Sequence, residues 1–169
     1  EALNMGDGFT DGVTTGPLIS AAAVAKVQDH VADITSRGGV VLTGGQVSDL
    51  GGFFMQPTVV TGVTQDMKVA QEETFGPLAP LFKFDSVDDV ITMANDTIFG
   101  LAAYFYAKDL SRVYKVAEEL EYGIVGVNTG LISTEVAPFG GIKQSGLGRE
   151  GSHHGIEEFL EMKYICMSV

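Results

Sequence analysis

The stretch Leu101–Val127, LAAYFYAKDLSRVYKVAEELEYGIVGV, contains two apolar segments separated by a helical one. Leu101 to Ala107 is a near-continuous apolar and aromatic run, which is typical of a strand covered on both faces. Asp109 is placed to cap a helix, and Ile124 to Val127 has the pattern of the next strand. The helix has its apolar face at Val113, Val116, Ala117 and Leu120. A strand, helix and strand of these lengths predict a βαβ crossover and a parallel strand pair.

The same alternation extends over the rest of the chain. Ser20 is placed to cap a helix that Gly38-Gly39 stops, and its apolar face contains Val24, Val27, Val31 and Ile34. Ser86 followed by Asp89 resembles a capping box at the start of another helix. Further strands are predicted at 40–43, 53–63 (interrupted at Pro57), 78–84 and 163–169. A glycine-rich loop over 129–151 and a short helix with Ile156 and Phe159 precede the last strand. The pattern predicts one α/β domain with a largely parallel sheet and helical crossovers.

Composition excludes several classes of protein. The 169 residues carry a net charge of −12 and no basic cluster, which argues against nucleic-acid binding. No apolar run is long enough for a membrane span, and no signal peptide follows Glu1. Cys166 is the only cysteine, so the chain cannot hold an internal disulfide, as suits a reducing compartment. Its apolar surroundings predict a small buried or edge hydrophobe rather than a nucleophile.

The first candidate for chemistry is Gln71–Pro77, QEETFGP, where two carboxylates precede an aromatic ring and a Gly-Pro turn. A carboxylate can accept hydrogen bonds from both hydroxyls of a ribose, and a nearby ring can pack on a flat cofactor base. The alternative is a charged helix end that runs into a turn, and composition alone favours this alternative.

The second candidate is residues 138–151, PFGGIKQSGLGREG, in which Gly146, Gly148 and Gly151 satisfy G-x-G-x-x-G. A dinucleotide fingerprint follows a buried strand and opens a long helix, whereas this one follows a polar loop. We therefore interpret it as a chance match. His153 and His154 are adjacent and predicted to point apart on a solvated helix start, so we expect no metal site there.

Taken together, four strings resemble the aldehyde dehydrogenase family in the family's order. They are QEETFGP (71–77), FGLAA (99–103), GVN (126–128) and PFGGIKQSGLGREG (138–151), and the resemblance covers essentially all 169 residues. NTGLIS (128–133) and GIEEFLEMKYIC (155–166) are most similar to the succinate-semialdehyde dehydrogenase branch. The resemblance implies the C-terminal part of the catalytic domain, with a partial domain at 1–162 and an oligomerisation strand at 163–169.

The resemblance also implies roles for single residues. Glu73 matches the carboxylate that holds the nicotinamide-side ribose of NAD or NADP, and Phe75 matches the ring beside the nicotinamide. Phe139 matches an aromatic wall of the aldehyde tunnel. Ser133 matches a position that binds the distal carboxylate of succinate semialdehyde. Glu150 resembles a buried acid near the proton-relay path, which does not itself react with substrate.

The family reaction also needs parts that this chain lacks. A cysteine thiolate attacks the aldehyde, an oxyanion site stabilises the adduct, and a carboxylate activates water to hydrolyse the thioester. In the family these groups and the dinucleotide-binding half lie upstream of the position matching Glu1, so the isolated chain is predicted to be inactive. We expect a cytoplasmic homodimer or higher homo-oligomer. The alternative is a natural non-catalytic binding or assembly module with the same fold.

Overall fold

The computed structural model describes residues 3–169 and divides the chain into two compact units, whose boundary lies between Phe84 and Asp85. Each unit combines helices with parallel strands, which confirms the predicted α/β class, although each unit has its own sheet. The single partial domain predicted over 1–162 stays a prediction, because compact packing does not by itself show what folds independently. None of the helices in residues 3–169 is long and apolar enough to cross a bilayer.

The first unit is built on a three-stranded sheet. Helix α1 (Ala21–Ser36) begins at Ser20, whose hydroxyl accepts a hydrogen bond from the Ala23 N–H at 3.2 Å. Strands β1 (Val40–Thr43) and β2 (Thr58–Val63) pair antiparallel. The short helix α2 (Lys68–Gln71) then crosses over to β3 (Leu78–Phe82), which runs parallel to β2.

One face of α1 packs over this sheet and forms the core of the unit. Its buried apolar residues are those that the sequence predicts, Val24, Val27, Val31 and Ile34. Three of them, Val27, Val31 and Ile34, pack in two clusters with residues from the sheet and its connections, namely Met55, Val60, Val63 and Met67. His30 lies on the same face and is also fully buried, which the sequence analysis did not predict.

The second unit contains the βαβ crossover predicted from the opening stretch. Helix α3 (Val87–Asn95) is followed by β4 (Ala102–Phe105), α4 (Leu110–Glu119) and β5 (Ile124–Val127). Strands β4 and β5 pair in parallel, with Ala102 opposite Ile124 and Phe105 opposite Val127. Both predicted helix caps are confirmed, since Ser86 accepts from the Asp89 N–H at 3.1 Å and Asp109 from the Arg112 N–H at 2.8 Å.

The predicted last strand is not formed. After two single-turn 3-10 helices at Lys143–Ser145 and Glu157–Phe159, residues 160–169 have no regular structure and are exposed. A strand is stabilised by a hydrogen-bonded neighbour, and no segment of residues 3–159 pairs with this tail. The prediction of a strand in the chain by itself was therefore wrong, while the oligomerisation role of 163–169 stays a prediction.

Candidate functional site

The 72–77 segment (Glu72 to Pro77) follows α2 directly, as expected for a helix end that runs into a turn. Glu72 is in the extended conformation. Phe75 has φ 48°, a left-handed conformation that is uncommon for a side chain of its size. A Cβ on Gly76 would lie 2.4 Å from Cγ2 of Val27, so only glycine lets the segment pass this close to α1.

Side chains of α1 hold the helix that leads into this segment. The Asp33 carboxylate accepts from the backbone N–H of Lys68 at 2.9 Å and so caps α2, whose own N-cap residue makes no side-chain bond. That hydrogen bond, together with Arg37, lowers the pKa of Asp33. The Lys68 ammonium pairs with Asp29 at 2.7 Å, and this contact raises the pKa of Lys68. The start of the 72–77 segment is therefore fixed relative to α1.

The segment itself is tied to α1 from one side. His30 Nδ1 lies 3.0 Å from Thr74 Oγ1, and His30 Nε2 lies 3.3 Å from a Glu72 carboxylate oxygen. One turn earlier on α1, the Lys26 ammonium donates to the backbone carbonyl of Glu73. The Thr74 hydroxyl and the Glu72 carboxylate thus reach toward the helix, although the Glu72 side chain is 52% exposed. The side chains of Glu73 and Phe75 make no such bond to α1 and are exposed.

The two predicted cofactor residues lie on that outward side. Glu73 is exposed, and its carboxylate makes no hydrogen bond or ion pair with any residue from 3 to 169. The Phe75 ring is exposed as well, with 79% of the residue accessible. An unpaired carboxylate beside an open aromatic face fits the ribose hydroxyls and flat ring of a nicotinamide nucleotide.

A larger concavity of the first unit does not contain these residues. It has a volume of about 680 Å³ and lies among β1, β2 and the start of β3, with Thr43, Thr58, Gly76 and Leu78 in its lining. Neither Glu73 nor Phe75 lines it, and its walls are mostly apolar. No carboxylate or other charged side chain is among the residues from 3 to 169 that line it.

In the second unit, the glycine-rich loop is anchored at both ends. Asn128 has φ 56°, and its side-chain amide forms a pair of hydrogen bonds with the backbone of Ala107, at 2.9 and 2.8 Å.

Farther along, the Ile142 N–H donates to the Gly100 carbonyl at 2.9 Å. The Lys143 ammonium donates to the Asn95 carbonyl at 2.8 Å and pairs with Glu121 at 2.7 Å. The FGGIKQS part of the long motif therefore holds the loop against the end of α3.

Phe139 and Glu150 are brought together by this loop. Their backbones exchange two hydrogen bonds, of 2.8 and 2.7 Å, and both residues line a cavity of about 460 Å³. Phe159 and Leu147 add apolar walls to the cavity. Arg149 also lines it, but its guanidinium donates to the carbonyls of Gly141 and Gly148 and serves the loop itself. An aromatic wall at Phe139 suits the apolar carbon chain of a small aldehyde.

Two predicted site residues differ from expectation. Glu150 is exposed rather than buried. Its backbone pairs with that of Phe139, but no other part of residues 3–169 covers its side chain. Ser133 is exposed on an irregular part of the loop and lies outside the lining of the Phe139 cavity. The burial and role of Glu150 in the whole enzyme therefore stay predictions, as does the role of Ser133.

The G-x-G-x-x-G match lacks the local geometry of a dinucleotide fingerprint. Gly146, Gly148 and Gly151 all have positive φ, and a turn rather than a long helix follows them. The helix N-terminus that would hold a pyrophosphate is therefore missing at this place.

The prediction that His153 and His154 point apart was wrong. They lie on a turn, not on a helix, and their ring centroids are 3.9 Å apart. Both rings lie close to the Glu157 carboxylate, and the three possible ligand atoms fall within 4.8 Å of one another. The helix geometry behind the prediction does not apply here, since Ser152 enters the turn with φ 49°.

Comparison with known proteins agrees with the sequence motifs. A model of the aldehyde dehydrogenase family matches residues 1–165. Glutarate-semialdehyde dehydrogenase of Pseudomonas aeruginosa is 62% identical over 98% of this chain and 34% of its own length. The NADP(+) succinate-semialdehyde dehydrogenase GabD of Escherichia coli is 62% identical over 99% of this chain and 35% of its own length.

A solved structure extends this agreement to the fold. The crystal structure of succinate-semialdehyde dehydrogenase from Burkholderia pseudomallei superposes with a TM-score of 0.96 at 60% identity, over 99% of this chain and 35% of that one. The chain spans about a third of the length of the relatives that it matches.

Proposed function

The chain belongs to the aldehyde dehydrogenase family, and on that premise we propose that it is the C-terminal part of an NAD(P)-dependent enzyme that oxidises a semialdehyde. Succinate semialdehyde is the proposed substrate, and the glutarate-semialdehyde relative points to the same chemistry, an aldehyde with a distal carboxylate. In the whole reaction, aldehyde and water are converted to carboxylate while NAD(P)⁺ accepts a hydride and protons are released.

The observation that carries this proposal is the exposed pair Glu73 and Phe75. The 72–77 segment is tied to α1 through its inward residues, and these two outward side chains are left for a ligand. Glu73 would accept hydrogen bonds from the ribose hydroxyls and fix the position of the nicotinamide, and Phe75 would pack beside the ring. Phe139 would form a wall for the aldehyde chain.

The nucleophile and the general base are proposed to lie outside residues 1–169. Cys166 is the only cysteine of the chain, and it is exposed in the irregular tail. The match to only a third of each relative supports this proposal. We also expect the enzyme to be cytoplasmic.

The proposed substrate is tested with Ser133→Ala in the full-length enzyme. The kcat/KM for succinate semialdehyde is expected to fall by about ten- to a hundredfold, because a hydroxyl that donates to a carboxylate typically contributes ~1.5–3 kcal/mol. An uncharged aldehyde of similar length cannot use that bond, and its kcat/KM is expected to change little. Thr134→Ala removes the neighbouring exposed hydroxyl and serves as the control. Equal losses for both aldehydes would rule out the carboxylate role of Ser133.

We further propose that the tail mediates self-association. Residues 163–169 include the exposed apolar side chains Tyr164, Ile165, Met167 and Val169. An extended segment with unpaired backbone groups tends to pair with another such segment, most simply across a two-fold axis.

Light scattering tests this assembly. The chain is expected to run as a dimer at micromolar concentration, and a version ending at Glu161 as a monomer. Both are measured with a reductant, and the complete chain is also measured as Cys166→Ser, because two exposed Cys166 thiols could join chains by a disulfide. If the chain with its complete tail runs as a monomer under these conditions, the strand-mediated dimer is excluded.

The second candidate function is a non-catalytic binding or assembly module. Such a module would keep the fold of this region without the groups that the reaction needs. The intact mass of the native product, or the reading frame upstream of Glu1, separates the two candidates. A natural product of only this length would favour the module.

A further inference from the structure

We propose that His30 is a positioning residue for the cofactor site, because it holds the 72–77 segment so that Glu73 and Phe75 face the nicotinamide nucleotide. This inference rests on the function proposed above. His30 would act through the segment and would not touch the cofactor, since it is fully buried.

The contacts of His30 bracket the proposed ribose ligand. Its two ring nitrogens reach Glu72 and Thr74, the residues immediately before and after Glu73. Because side chains alternate in an extended segment, holding residues 72 and 74 against α1 directs residue 73 to the opposite side. The Glu72 side chain is 52% exposed but bonded to His30, whereas the Glu73 carboxylate is exposed and makes no bond within residues 3–169.

Few other hydrogen bonds hold the 72–77 segment in place. Within residues 3–169, the backbone N–H groups of Glu73, Thr74 and Phe75 donate no hydrogen bond. The Lys26 ammonium fixes the carbonyl of Glu73, and the close approach of Gly76 to Val27 fixes the end of the segment. His30 therefore supplies the only side-chain hydrogen bonds from α1 to Glu72 and Thr74 among these residues.

The chemistry of the partners assigns the ring protons. The Glu72 carboxylate can only accept, so His30 Nε2–H donates to it. In the neutral ring Nδ1 is then an acceptor, and the Thr74 hydroxyl donates to it. A buried ring with both nitrogens bonded has one orientation, which makes it a rigid support for an exposed segment.

The test is a double-mutant cycle in the full-length enzyme, measured as the single-turnover rate of hydride transfer. His30→Leu removes both hydrogen bonds and is expected to slow the step about tenfold. His30→Gln can still donate to Glu72 and is expected to recover to within about threefold of wild type. Ile34→Val, at another fully buried position of α1, is the matched control: it should lower Tm and leave hydride transfer unchanged.

The cycle with Glu73→Gln separates a positioning role from general packing. If His30 acts through Glu73, adding His30→Leu to Glu73→Gln slows hydride transfer little further, whereas independent effects would multiply. The role of His30 would be overturned if the two effects multiply, or if His30→Leu reacts at the wild-type rate while Glu73→Gln is slow. Either result would leave the proposed function standing. Wild-type rates for Glu73→Gln would instead overturn the proposed function.

A second variant guards against a His30→Leu protein that does not fold. Thr74→Val removes the partner of Nδ1 from a half-buried position of the segment and keeps the size of the side chain. Thr74→Val is also expected to slow hydride transfer about tenfold. When it is combined with Glu73→Gln, hydride transfer should slow little further. Effects that multiply in this cycle would count against the inference in the same way.

Discussion

Purified residues 1–169 are expected to form no NADH or NADPH from succinate semialdehyde. The reaction needs a thiolate to attack the aldehyde, and loss of the nucleophile in comparable covalent enzymes lowers kcat on the order of a million-fold. The only thiol of the chain, Cys166, lies in an exposed tail without regular structure. The measurement is absorbance at about 340 nm, where reduced nicotinamide absorbs. The protein must be free of host dehydrogenases.

Cys166→Ala is the control for this result. Any residual signal is expected to be the same in the chain and in this variant, because it would come from contaminating enzyme. Turnover by the purified chain that disappears in Cys166→Ala would mean that the chain carries its own nucleophile, contrary to the proposal.

Glu73→Gln in the full-length enzyme is expected to slow hydride transfer by about ten- to a hundredfold while the protein stays folded. The carboxylate would accept charge-assisted hydrogen bonds from the ribose, and losing one typically costs ~1.5–3 kcal/mol. The Glu73 carboxylate makes no hydrogen bond or ion pair within residues 3–169, so its replacement should not lower Tm. Stopped-flow measurement of a single turnover isolates this step from product release.

The matched control is Glu118→Gln, which removes one negative charge from an exposed position of α4. It is expected to leave the single-turnover rate unchanged. If Glu73→Gln and Glu118→Gln both react at the wild-type rate, Glu73 is not the ribose ligand.

The sequence predicts the helices and buried strands well, because local chemistry determines them. Ser20, Ser86 and Asp109 each cap the predicted helix by accepting a hydrogen bond from the backbone N–H three residues later. The strand Ile124–Val127 has the predicted limits, and its parallel pairing follows from the helix that precedes it. Strand β2 begins only after Pro57, which has no N–H to donate to a ladder.

The features that the sequence did not predict depend on residues distant in the chain. The tail 163–169 has strand composition but no partner, and composition alone cannot supply one. Glu150 was expected to be buried, yet burial depends on what covers a residue from elsewhere. His153 and His154 were assigned helix geometry, and a turn instead brings their rings together.

His30 shows the same limit at the candidate site. Its spacing from Val27 and Ile34 places it on the apolar face of α1, so its burial could have been predicted from the helical period. Its partners Glu72 and Thr74 lie more than forty residues later, at separations of 42 and 44. Only the fold connects the buried histidine with the segment that carries Glu73.

The central claim is that this chain supplies the cofactor carboxylate of a cysteine-dependent dehydrogenase and not its nucleophile. The most direct test is to trap the acyl adduct of the full-length protein with succinate semialdehyde and oxidised cofactor, and to locate it by peptide mass spectrometry. We expect the adduct on a cysteine outside residues 1–169. An adduct on Cys166 that is lost in Cys166→Ala, together with catalytic turnover, would contradict the claim.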